Sequence, residues 1–461
     1  MPYQKERSEI RIRREGAVLA AVHLPDSRFD ERDPLGELRA LAETAGVRVV
    51  GEIIQNRNRP EPGTYIGTGK LAELKAMCRE LDAGVIIFDH ELSPKQIANI
   101  EKETERKVID RSELILDIFA SRATTRQARI AVELAQLEYT YPRLRAMWDH
   151  LERIVGSGGI VGVGTRGPGE QQIEIDRRIV QRKKTQLRRE LDQIYARKQR
   201  EVRARNNDHF SVGLVGYTNA GKSTIFNTLT EGGAFAQDRL FATLMTRTRE
   251  WSLGGGVGVM LSDTVGFIRD LPHHLIASFK ATLEEATNAD LLLLVIDVSD
   301  PAAEIHHDVV RATLDELYEE HEKAAAASGV EWSRPSELIL LNKADLLRDN
   351  AEVLLWQSRY PDSLPFCAIE VDGVGHDELE QRVRTLMKGP IAELDLTLPL
   401  SDGKAIDVIE KRADVLDRRY DNGQVTLRAR IGERQLAQLR AAGAKLLKVE
   451  PAEGELTPEA G

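Results

Sequence analysis

One segment of the chain fits, at every fixed position, the pattern of a loop that binds nucleotide phosphates: Gly216-Tyr217-Thr218-Asn219-Ala220-Gly221-Lys222-Ser223. In such a loop the backbone N–H groups surround the α- and β-phosphates, and glycine is required where a Cβ would clash or φ must be positive. Lys222 is expected to place its ammonium on the β- and γ-phosphate oxygens, and Ser223 to ligate Mg²⁺. A buried strand over 210–215 and a helix over 223–229 are predicted around the loop, which is the context that this chemistry needs.

A second motif selects the base. Asn342-Lys343-Ala344-Asp345 follows an apolar strand predicted over 338–341, and an α/β sheet places its ligands at the carboxyl ends of its strands. The Asp345 carboxylate can accept hydrogen bonds from guanine N1–H and from the exocyclic N2 amine together, and the Lys343 stem can cover the base. Adenine offers neither donor, and a buried acceptor without a donor is costly. The sequence therefore predicts GTP and GDP as ligands.

Two further segments carry groups for Mg²⁺ and the γ-phosphate. Asp263-Thr264-Val265-Gly266 follows a strand predicted over 257–261, which places Asp263 to hold Mg²⁺ through water and the Gly266 N–H to sense the γ-phosphate. Within Phe241-Ala242-Thr243-Leu244, Thr243 is the candidate for the second Mg²⁺ hydroxyl, although a plain loop residue would also fit this weaker motif. We expect Lys222, Thr243 and Gly266 to form the catalytic set of a GTP hydrolase.

The residue after Gly266 is Phe267, at the position where many GTPases have the glutamine that orients the attacking water. An apolar side chain cannot orient water, so intrinsic hydrolysis is expected to be slow until a partner completes the site. GTPases with asparagine at the loop position of Asn219 often use a potassium ion near the bridge between the β- and γ-phosphates. A potassium ion near Asn219 is therefore a hypothesis beside the predicted Mg²⁺.

The first 122 residues alternate strand and helix patterns. Short buried strands are predicted over 17–24, 48–54, 85–88 and 107–109, with helices over 34–44, 71–81 and 94–103. Residues 1–122 are therefore expected to form a small α/β domain. Inside it, Gly67-Thr68-Gly69-Lys70 looks like the end of a phosphate loop but lacks the upstream glycine. A helix-entry turn is the better interpretation, and ATP binding there stays open.

Residues 123–207 change to long helical patterns. Apolar residues recur at three- and four-residue steps in two stretches, which predicts an antiparallel helical hairpin. The loop between them, 156–169, holds seven glycines. It could be a flexible connector or a tip that lets RNA approach the backbone, with Arg166 on phosphates. Residues 176–205 hold twelve Lys/Arg and four Asp/Glu, so this arm could bind RNA, although a basic helix face could also be a solvated surface.

The nucleotide motifs lie in a domain predicted over 208–389. Beyond it, 390–450 is expected to be a small domain with a half-buried strand at 394–400, a helix to about 416, a strand over 424–430 and a helix over 433–442. The acidic tail, 451–461, is expected to be disordered. The predicted fold class is α/β: a P-loop GTPase domain preceded by a small α/β domain and a long antiparallel helical hairpin, and followed by a small α+β domain.

Composition limits the class of protein. The 461 residues carry a net charge of −10, an apolar share of 41% and only two cysteines. So few cysteines argue against a disulfide framework and suit a reducing compartment. The charged start of the chain is not expected to act as a signal peptide, and the longest apolar run, 291–298, is expected to be too short to cross a bilayer. We expect a cytoplasmic, monomeric protein with no membrane span.

Taken together, the motifs resemble the HflX GTPases, which belong to the Obg–HflX-like GTPases related to translation factors. In the GTPase domain the resemblance is carried by the phosphate loop, by Leu-Phe-Ala-Thr-Leu at 240–244, by Asp-Thr-Val-Gly-Phe-Ile-Arg at 263–269 and by Phe-Lys-Ala-Thr-Leu at 279–283. Outside that domain, segments 108–111, 116–119, 132–137 and 166–170 also match. The resemblance covers about 20–390.

The resemblance implies binding to the large ribosomal subunit and its RNA, with the N-terminal region near the peptidyl transferase centre. It further implies that the GTP state splits or rescues stalled or stressed ribosomes, and that GTP hydrolysis times release. A GTP-gated large-subunit assembly or silencing factor without splitting activity is the alternative function. A third interpretation makes the N-terminal domain an ATP-dependent, RNA-remodelling enzyme of its own.

Three features depart from the family pattern. Met245 stands where aspartate is usual and Thr246 where proline is usual, which bears on the conformation and rate of the first switch. Cys367-Ala368 occupies the guanine-contacting Ser-Ala position. The Ala368 N–H can still reach guanine O6, because that contact needs no side chain.

The predicted site is a set of residues from five segments of the chain. The nucleotide-binding residues are Gly216, Tyr217, Thr218, Asn219, Ala220, Gly221, Lys222, Ser223 and Thr224; Phe241, Ala242, Thr243, Leu244 and Met245; Asp263, Thr264, Val265 and Gly266; Asn342, Lys343, Ala344 and Asp345; and Cys367 and Ala368. The predicted Mg²⁺ ligands are Ser223, Thr243 and, through water, Asp263.

Overall fold

A computed structural model of the chain describes residues 16–451, except 26, 28, 157–167, 231–239, 242–245, 255–256, 271–286, 329–331, 348, 350, 370–372, 390, 433–435, 437–443 and 445. Three β-sheets organise these residues: one in the N-terminal region, one around the phosphate loop and one in the C-terminal region. Among the helices of this described part, none is both long and apolar enough to cross a membrane.

The N-terminal sheet is parallel, with strand order β2-β1-β3-β4. Its strands are β1 Gly16–His23, β2 Arg48–Asn56, β3 Ala83–Phe88 and β4 Lys107–Asp110, and its helices are α1 Gly36–Thr44, α2 Thr68–Glu80, α3 Pro94–Thr104 and α4 Arg111–Arg122. Neighbouring β1 residues enter different cores, since Leu19 packs with α1 and α4 whereas Ala20 packs with α2 and α3. Helices thus cover both faces, as a parallel sheet requires. The predicted α/β fold of this region is confirmed.

The Gly67-Thr68-Gly69-Lys70 segment forms the start of α2. Gly67 has extended backbone angles and is the N-cap, and Thr68 is the first helical residue. The Lys70 ammonium forms an ion pair with Glu73 at 2.7 Å. The geometry therefore agrees with a helix-entry turn.

Two long helices follow the N-terminal sheet, α5 Arg126–Gly156 and α6 Pro168–Asp208. Leucines and other apolar residues of both helices form one shared cluster. Arg126 of α5 forms an ion pair with Glu190 of α6, and Glu133 pairs with Lys183 at 3.2 Å. The later residue of α5 pairs with the earlier residue of α6, so the two helices are antiparallel, as predicted. Most of the glycine-rich loop, 157–167, lies outside the described residues.

The phosphate loop belongs to a six-stranded sheet of order β10-β9-β8-β5-β7-β6, in which β6 runs antiparallel to β7 and the other neighbours are parallel. The strands are β5 Ser211–Gly216, β6 Arg247–Ser252, β7 Gly258–Asp263, β8 Leu291–Asp297, β9 Ser336–Asn342 and β10 Leu364–Phe366. The helices are α7 Lys222–Leu229, α8 Ala303–Ser328, α9 Ala351–Arg359 and α10 His376–Lys388. Strand order reverses between β5 and β8, and a reversal is where such sheets bind ligands.

The C-terminal sheet is antiparallel, in the order β12-β13-β11-β14. Its elements are β11 Ile391–Pro399, α11 Gly403–Arg412, β12 Asp414–Asp421, β13 Gln424–Gly432 and β14 Lys448–Pro451. The helix predicted to about 416 is wrong at its end, because β12 begins at Asp414. This edge strand is exposed along almost its whole length, so its sequence lacks the alternation that reveals a strand.

The rest of the C-terminal prediction meets the limits of the described chain. Strand β14 takes in Pro451, the first residue of the predicted tail, and 452–461 lie outside the described residues. Most of the helix predicted over 433–442 also lies outside them. Leu396 and Leu398 of β11 are fully buried, as the alternating pattern predicts.

Candidate active site

The phosphate loop joins the carboxyl end of β5 to the start of α7. Gly221 is the N-cap of α7 and has a φ of 97°. A Cβ at this residue would lie 2.2 Å from Asn342 Nδ2, so a side chain is excluded by both backbone angle and space. Asn219, two residues earlier, also has a positive φ, of 63°, a conformation that asparagine tolerates. The loop thus has the tight curvature that phosphate binding by backbone N–H groups needs.

Lys222 lies inside this curve. Its side chain is buried, and Nζ donates a hydrogen bond to the Tyr217 carbonyl at 2.6 Å. Burial lowers the pKa of Lys222 to about 8, although the Asp263 carboxylate acts in the opposite direction. The Asp263 carboxylate only partly offsets the loss of hydration of this buried ammonium. An anionic ligand is therefore favoured, because phosphate oxygens can replace the interactions that water no longer supplies.

The lowered pKa of Lys222 predicts that nucleotide affinity depends on pH. Contact with phosphate raises the pKa of Lys222 above its value in the unliganded protein. The contribution of the charged lysine to nucleotide binding is therefore complete below about pH 8 and is lost as pH rises toward the pKa of the bound state. We expect GDP affinity to fall by up to about tenfold per pH unit in that range. Calorimetry in buffers of different ionisation enthalpy should show proton uptake above pH 8 and little below pH 7. A pH-independent affinity would contradict the assignment of Lys222.

The oxygen atoms expected to hold Mg²⁺ lie together. Ser223 Oγ donates a hydrogen bond to Asp263 Oδ2 at 2.7 Å, and Asp263 is fully buried at the carboxyl end of β7. Hydroxyl and carboxylate oxygens are the ligands that Mg²⁺ prefers. Ser223 and Asp263 therefore fit the ion, directly and through water respectively, and the bound ion would neutralise charge on the phosphates. Thr243, with Ala242, Leu244 and Met245, lies outside the described residues, so its role remains a prediction.

The base motif is tied to the phosphate loop. Asn342, at the end of β9, is buried, and its Nδ2 donates to the Ala220 carbonyl at 2.8 Å. Lys343 has a positive φ of 61°, and its Nζ lies 2.6 Å from Asp297 Oδ2 at the end of β8. This ion pair fixes the direction of the lysine stem. Asp345 lies in the short 3₁₀ turn Ala344–Leu346, with its side chain exposed.

The segment after β10 lies beside the base motif, because β10 pairs in parallel with β9. Cys367 and Ala368 are both buried. Thr228 Oγ1 of α7 donates to the Ala368 carbonyl at 2.7 Å, and the His376 ring lies 3.0 Å from the Cys367 carbonyl. These contacts hold the segment at the carboxyl edge of the sheet. Contact of the Ala368 N–H with guanine remains a prediction.

The segment after Asp263 continues along the phosphate loop. Thr264 Oγ1 donates to the Leu214 carbonyl at 2.6 Å. The Phe267 N–H donates to the Gly216 carbonyl at 3.1 Å, and the Thr218 N–H donates to the Phe267 carbonyl at 2.8 Å. The Phe267 ring is buried in an apolar core that it shares with Val265. The residue at the usual glutamine position therefore packs inside the protein.

Sequence reasoning missed a charged group beside the site, formed by Glu37, Asp89, Arg111 and Arg269. Asp89 and Arg111 directly follow the buried strands β3 and β4. A charged residue at the carboxyl end of a parallel strand is a signal that could have indicated them. Asp297, the partner of Lys343, follows the same rule at the end of β8.

Comparison with known proteins identifies the family. Residues 32–120 match a family model described as GTP-binding GTPase N-terminal, 122–205 match the GTP-binding GTPase Middle Region, and 211–343 match the 50S ribosome-binding GTPase. Three relatives are each named GTPase HflX. The protein from Lacrimispora saccharolytica is 39% identical over 94% of this chain and 97% of its own. The Escherichia coli protein is 38% identical over 85% and 87% of the two chains. The protein from Alkalihalophilus pseudofirmus is 44% identical over 71% and 73%.

The site geometry and these similarities agree. A phosphate loop with a buried lysine, a paired serine and aspartate, and a guanine motif bound to the loop are the parts of a GTP hydrolase. The similarity extends over the N-terminal, helical and nucleotide-binding regions alike. The chain belongs to the HflX family of GTPases.

Proposed function

We propose that this protein is a ribosome-dependent GTPase of the cytoplasm. In its GTP state it binds the large ribosomal subunit and its RNA and splits or rescues stalled or stressed ribosomes, and hydrolysis times its release. The observation that carries this proposal is the buried Phe267, which leaves the site without a water-orienting side chain at that position and so in need of a partner. The model that matches 211–343 is described as a 50S ribosome-binding GTPase, which supports the ribosome as that partner.

The helical hairpin offers a surface of suitable charge. Arg178, Arg182 and Arg189 are exposed along one side of α6 and line a common groove with Arg126 of α5. Their spacing of four and seven residues puts them on one helix face. A row of exposed guanidiniums with polar neighbours fits an RNA backbone, because binding releases the counterions of the phosphates.

The test is steady-state GTP hydrolysis with and without purified large ribosomal subunits. We expect a slow basal rate and a rise of about tenfold or more with subunits, on the order of 1.4 kcal/mol off the barrier. A variant with Arg182→Gln and Arg189→Gln should keep the basal rate and lose most of the rise. Lys323→Ala, which removes an exposed lysine of α8, is the matched control and should behave like the wild type. An unchanged rate with subunits would refute the ribosome as the completing partner.

Splitting is separated from the alternative by sucrose gradients with intact ribosomes. If the protein splits ribosomes, GTP or a non-hydrolysable analogue should convert monosomes into subunits. A large-subunit assembly or silencing factor would bind subunits without that conversion. GTPase stimulation without subunit release would therefore favour the alternative.

The glycine-rich loop gives a further prediction. Removing 156–169 is expected to weaken stimulation by ribosomes by about tenfold and leave basal hydrolysis intact, since these residues join the end of α5 to the start of α6, whereas β5 and the phosphate loop follow the other end of α6. The same rate measurements decide it. Full stimulation of the shortened protein would show that the loop is only a connector.

The potassium hypothesis concerns Asn219, whose positive φ of 63° places it on the curve of the phosphate loop. If a potassium ion supplies positive charge near the phosphate bridge, turnover in potassium buffer should exceed turnover in sodium buffer by about tenfold, and Asn219→Ala should remove the difference. Equal turnover of the wild type in the two buffers would exclude this role.

A further inference from the structure

The peptide group that joins Cys367 to Ala368 is held by side chains from two helices. It follows β10 and lies beside the base motif, because Phe366 of β10 pairs with Asn342 of β9. A trans peptide is planar, so its C=O and its N–H point in opposite directions. Within the described residues every peptide bond is trans. The residue that holds the Cys367 carbonyl therefore also sets the direction of the Ala368 N–H.

That residue is His376. Its Nε2 lies 3.0 Å from the Cys367 carbonyl oxygen. Because a carbonyl oxygen can only accept a hydrogen bond, Nε2 carries the proton and donates. Both residues are buried, and a hydrogen bond is stronger where little water competes for it. The plane of the peptide between Cys367 and Ala368 is therefore fixed by a side chain outside β10.

The His376 ring is itself held in place. It stacks on the ring of Phe366, with centroids 4.5 Å apart. His376 is the first residue of α10, and the N-cap before it, Gly375, has a φ of 87°. A Cβ on Gly375 would lie 2.2 Å from the carbonyl oxygen of Pro365, so α10 begins in direct backbone contact with β10. The donor thus has one position relative to the strand.

The next carbonyl is bonded to the helix that follows the phosphate loop. Thr228 Oγ1 donates to the Ala368 carbonyl at 2.7 Å, and Thr228 lies on α7, which begins at Lys222. Ala368 is buried, and within the described part of the chain no group accepts a hydrogen bond from its N–H. Since buried backbone donors are nearly always paired, this N–H is suited to a ligand.

We propose that His376 is a positioning residue for guanine recognition. By fixing the peptide before it, the His376 Nε2–H directs the Ala368 N–H to the O6 oxygen of a guanine held by Asp345. Adenine carries an amine at C6, so the directed N–H would meet a second donor there. The inference rests on the predicted contact between Ala368 and guanine, and it does not depend on the ribosome.

The test measures the Kd of the full-length protein for three nucleoside diphosphates. Inosine diphosphate differs from GDP only in lacking the 2-amine, whereas the 2-aminopurine nucleotide lacks O6 and the N1 proton. His376→Leu removes the donor at similar volume. We expect the affinities for GDP and inosine diphosphate to fall by about tenfold, the scale of one hydrogen bond, and the affinity for the 2-aminopurine nucleotide to change by less than about twofold. His209→Leu, which removes an exposed histidine just before β5, is the matched control and should change none of them.

His376→Gln is the rescue variant, because its amide N–H can replace the Nε2–H. It should bind GDP within about threefold of the wild type. The ratio of the GDP and inosine diphosphate affinities reports the 2-amine that Asp345 is expected to bind, so His376→Leu should leave it unchanged. A purely structural role would lower all three affinities equally or lower only Tm. Either result would overturn the proposal.

Thr228→Val supplies a second variant if His376→Leu fails to fold. It removes the donor to the Ala368 carbonyl, and we expect a loss of about threefold that is again confined to the two nucleotides with O6. An equal loss for the 2-aminopurine nucleotide would contradict the proposal.

Hydrogen exchange of the Ala368 amide, followed by NMR, separates the role of His376 from the contact on which it rests. In the wild type GDP should slow this exchange more than the 2-aminopurine nucleotide does, and His376→Leu should remove most of the difference. Equal exchange in the two wild-type complexes would show that Ala368 does not bind guanine. A difference that survives in His376→Leu would show that other contacts direct the N–H, and the proposal would fail in that case as well.

Discussion

Lys222→Ala should abolish GTP turnover. The Lys222 ammonium is the buried cation of the phosphate loop, and we expect its contact with the β- and γ-phosphate oxygens to be strong because little water screens it. We expect kcat/KM to fall by at least about a thousandfold, on the order of 4 kcal/mol of lost stabilisation. Steady-state hydrolysis measures the loss of turnover, and calorimetric titration with GDP measures the loss of nucleotide affinity.

The same substitution is not expected to destabilise the unliganded protein. The pKa of Lys222 falls from 10.5 to about 8 in the folded state, so carrying the charge destabilises the fold by on the order of 3 kcal/mol at neutral pH. This cost is fully present below pH 8 and is relieved as pH rises toward the unfolded value. Alanine removes it, at the expense of the hydrogen bond to Tyr217 and some packing. A large fall in Tm would mean that lost activity reflects unfolding.

The arrangement of the described part of the candidate site was predictable because its parts are local. The phosphate loop, the Asp263 segment and the Asn342 motif each lie at the carboxyl end of an apolar strand, and parallel strands bring their carboxyl ends to one sheet edge. The hydrogen bond from Asn342 to Ala220 joins two motifs whose proximity follows from that rule alone. Fold class was predictable for the same reason, since alternating strands and helices leave few topologies.

The docking of the N-terminal domain was not predictable from spacing. Glu37 and Tyr217 are 180 positions apart, as are Asp89 and Arg269, so no local pattern in the sequence shows that they meet. These four residues come together, away from water, only when the N-terminal sheet region packs against the region around the phosphate loop. Strand β12 was missed for a different reason. Residues such as Arg418, Arg419 and Tyr420 are all exposed, so buried and exposed positions do not alternate along β12. The hydrophobic pattern of its sequence therefore does not indicate a strand.

The second large effect concerns the base. Asp345→Asn should convert guanine preference into xanthine preference, because xanthine presents a C2 carbonyl where guanine has its amine. The asparagine amide can donate to that carbonyl, whereas facing guanine its N–H₂ meets another donor. A site with a mismatched hydrogen-bond group rejects its ligand by several kcal/mol, so we expect GTP affinity to fall by about a thousandfold or more and affinity for xanthosine triphosphate to exceed it. Asp349→Asn, an exposed aspartate four residues on, is the matched control.

The outcome separates base selection from phosphate binding. Asp345 lies on an exposed 3₁₀ turn and is expected to act only through the base, whereas Lys222 and Ser223 are expected to bind any nucleoside triphosphate. Hydrolysis of xanthosine triphosphate by the variant should therefore approach the rate of GTP hydrolysis by the wild type. Low activity with both nucleotides would point to damage at the end of β9, where Asn342 contacts the phosphate loop. Guanine preference retained at wild-type strength would refute Asp345 as the base-selecting residue and leave the Ala368 segment to account for it.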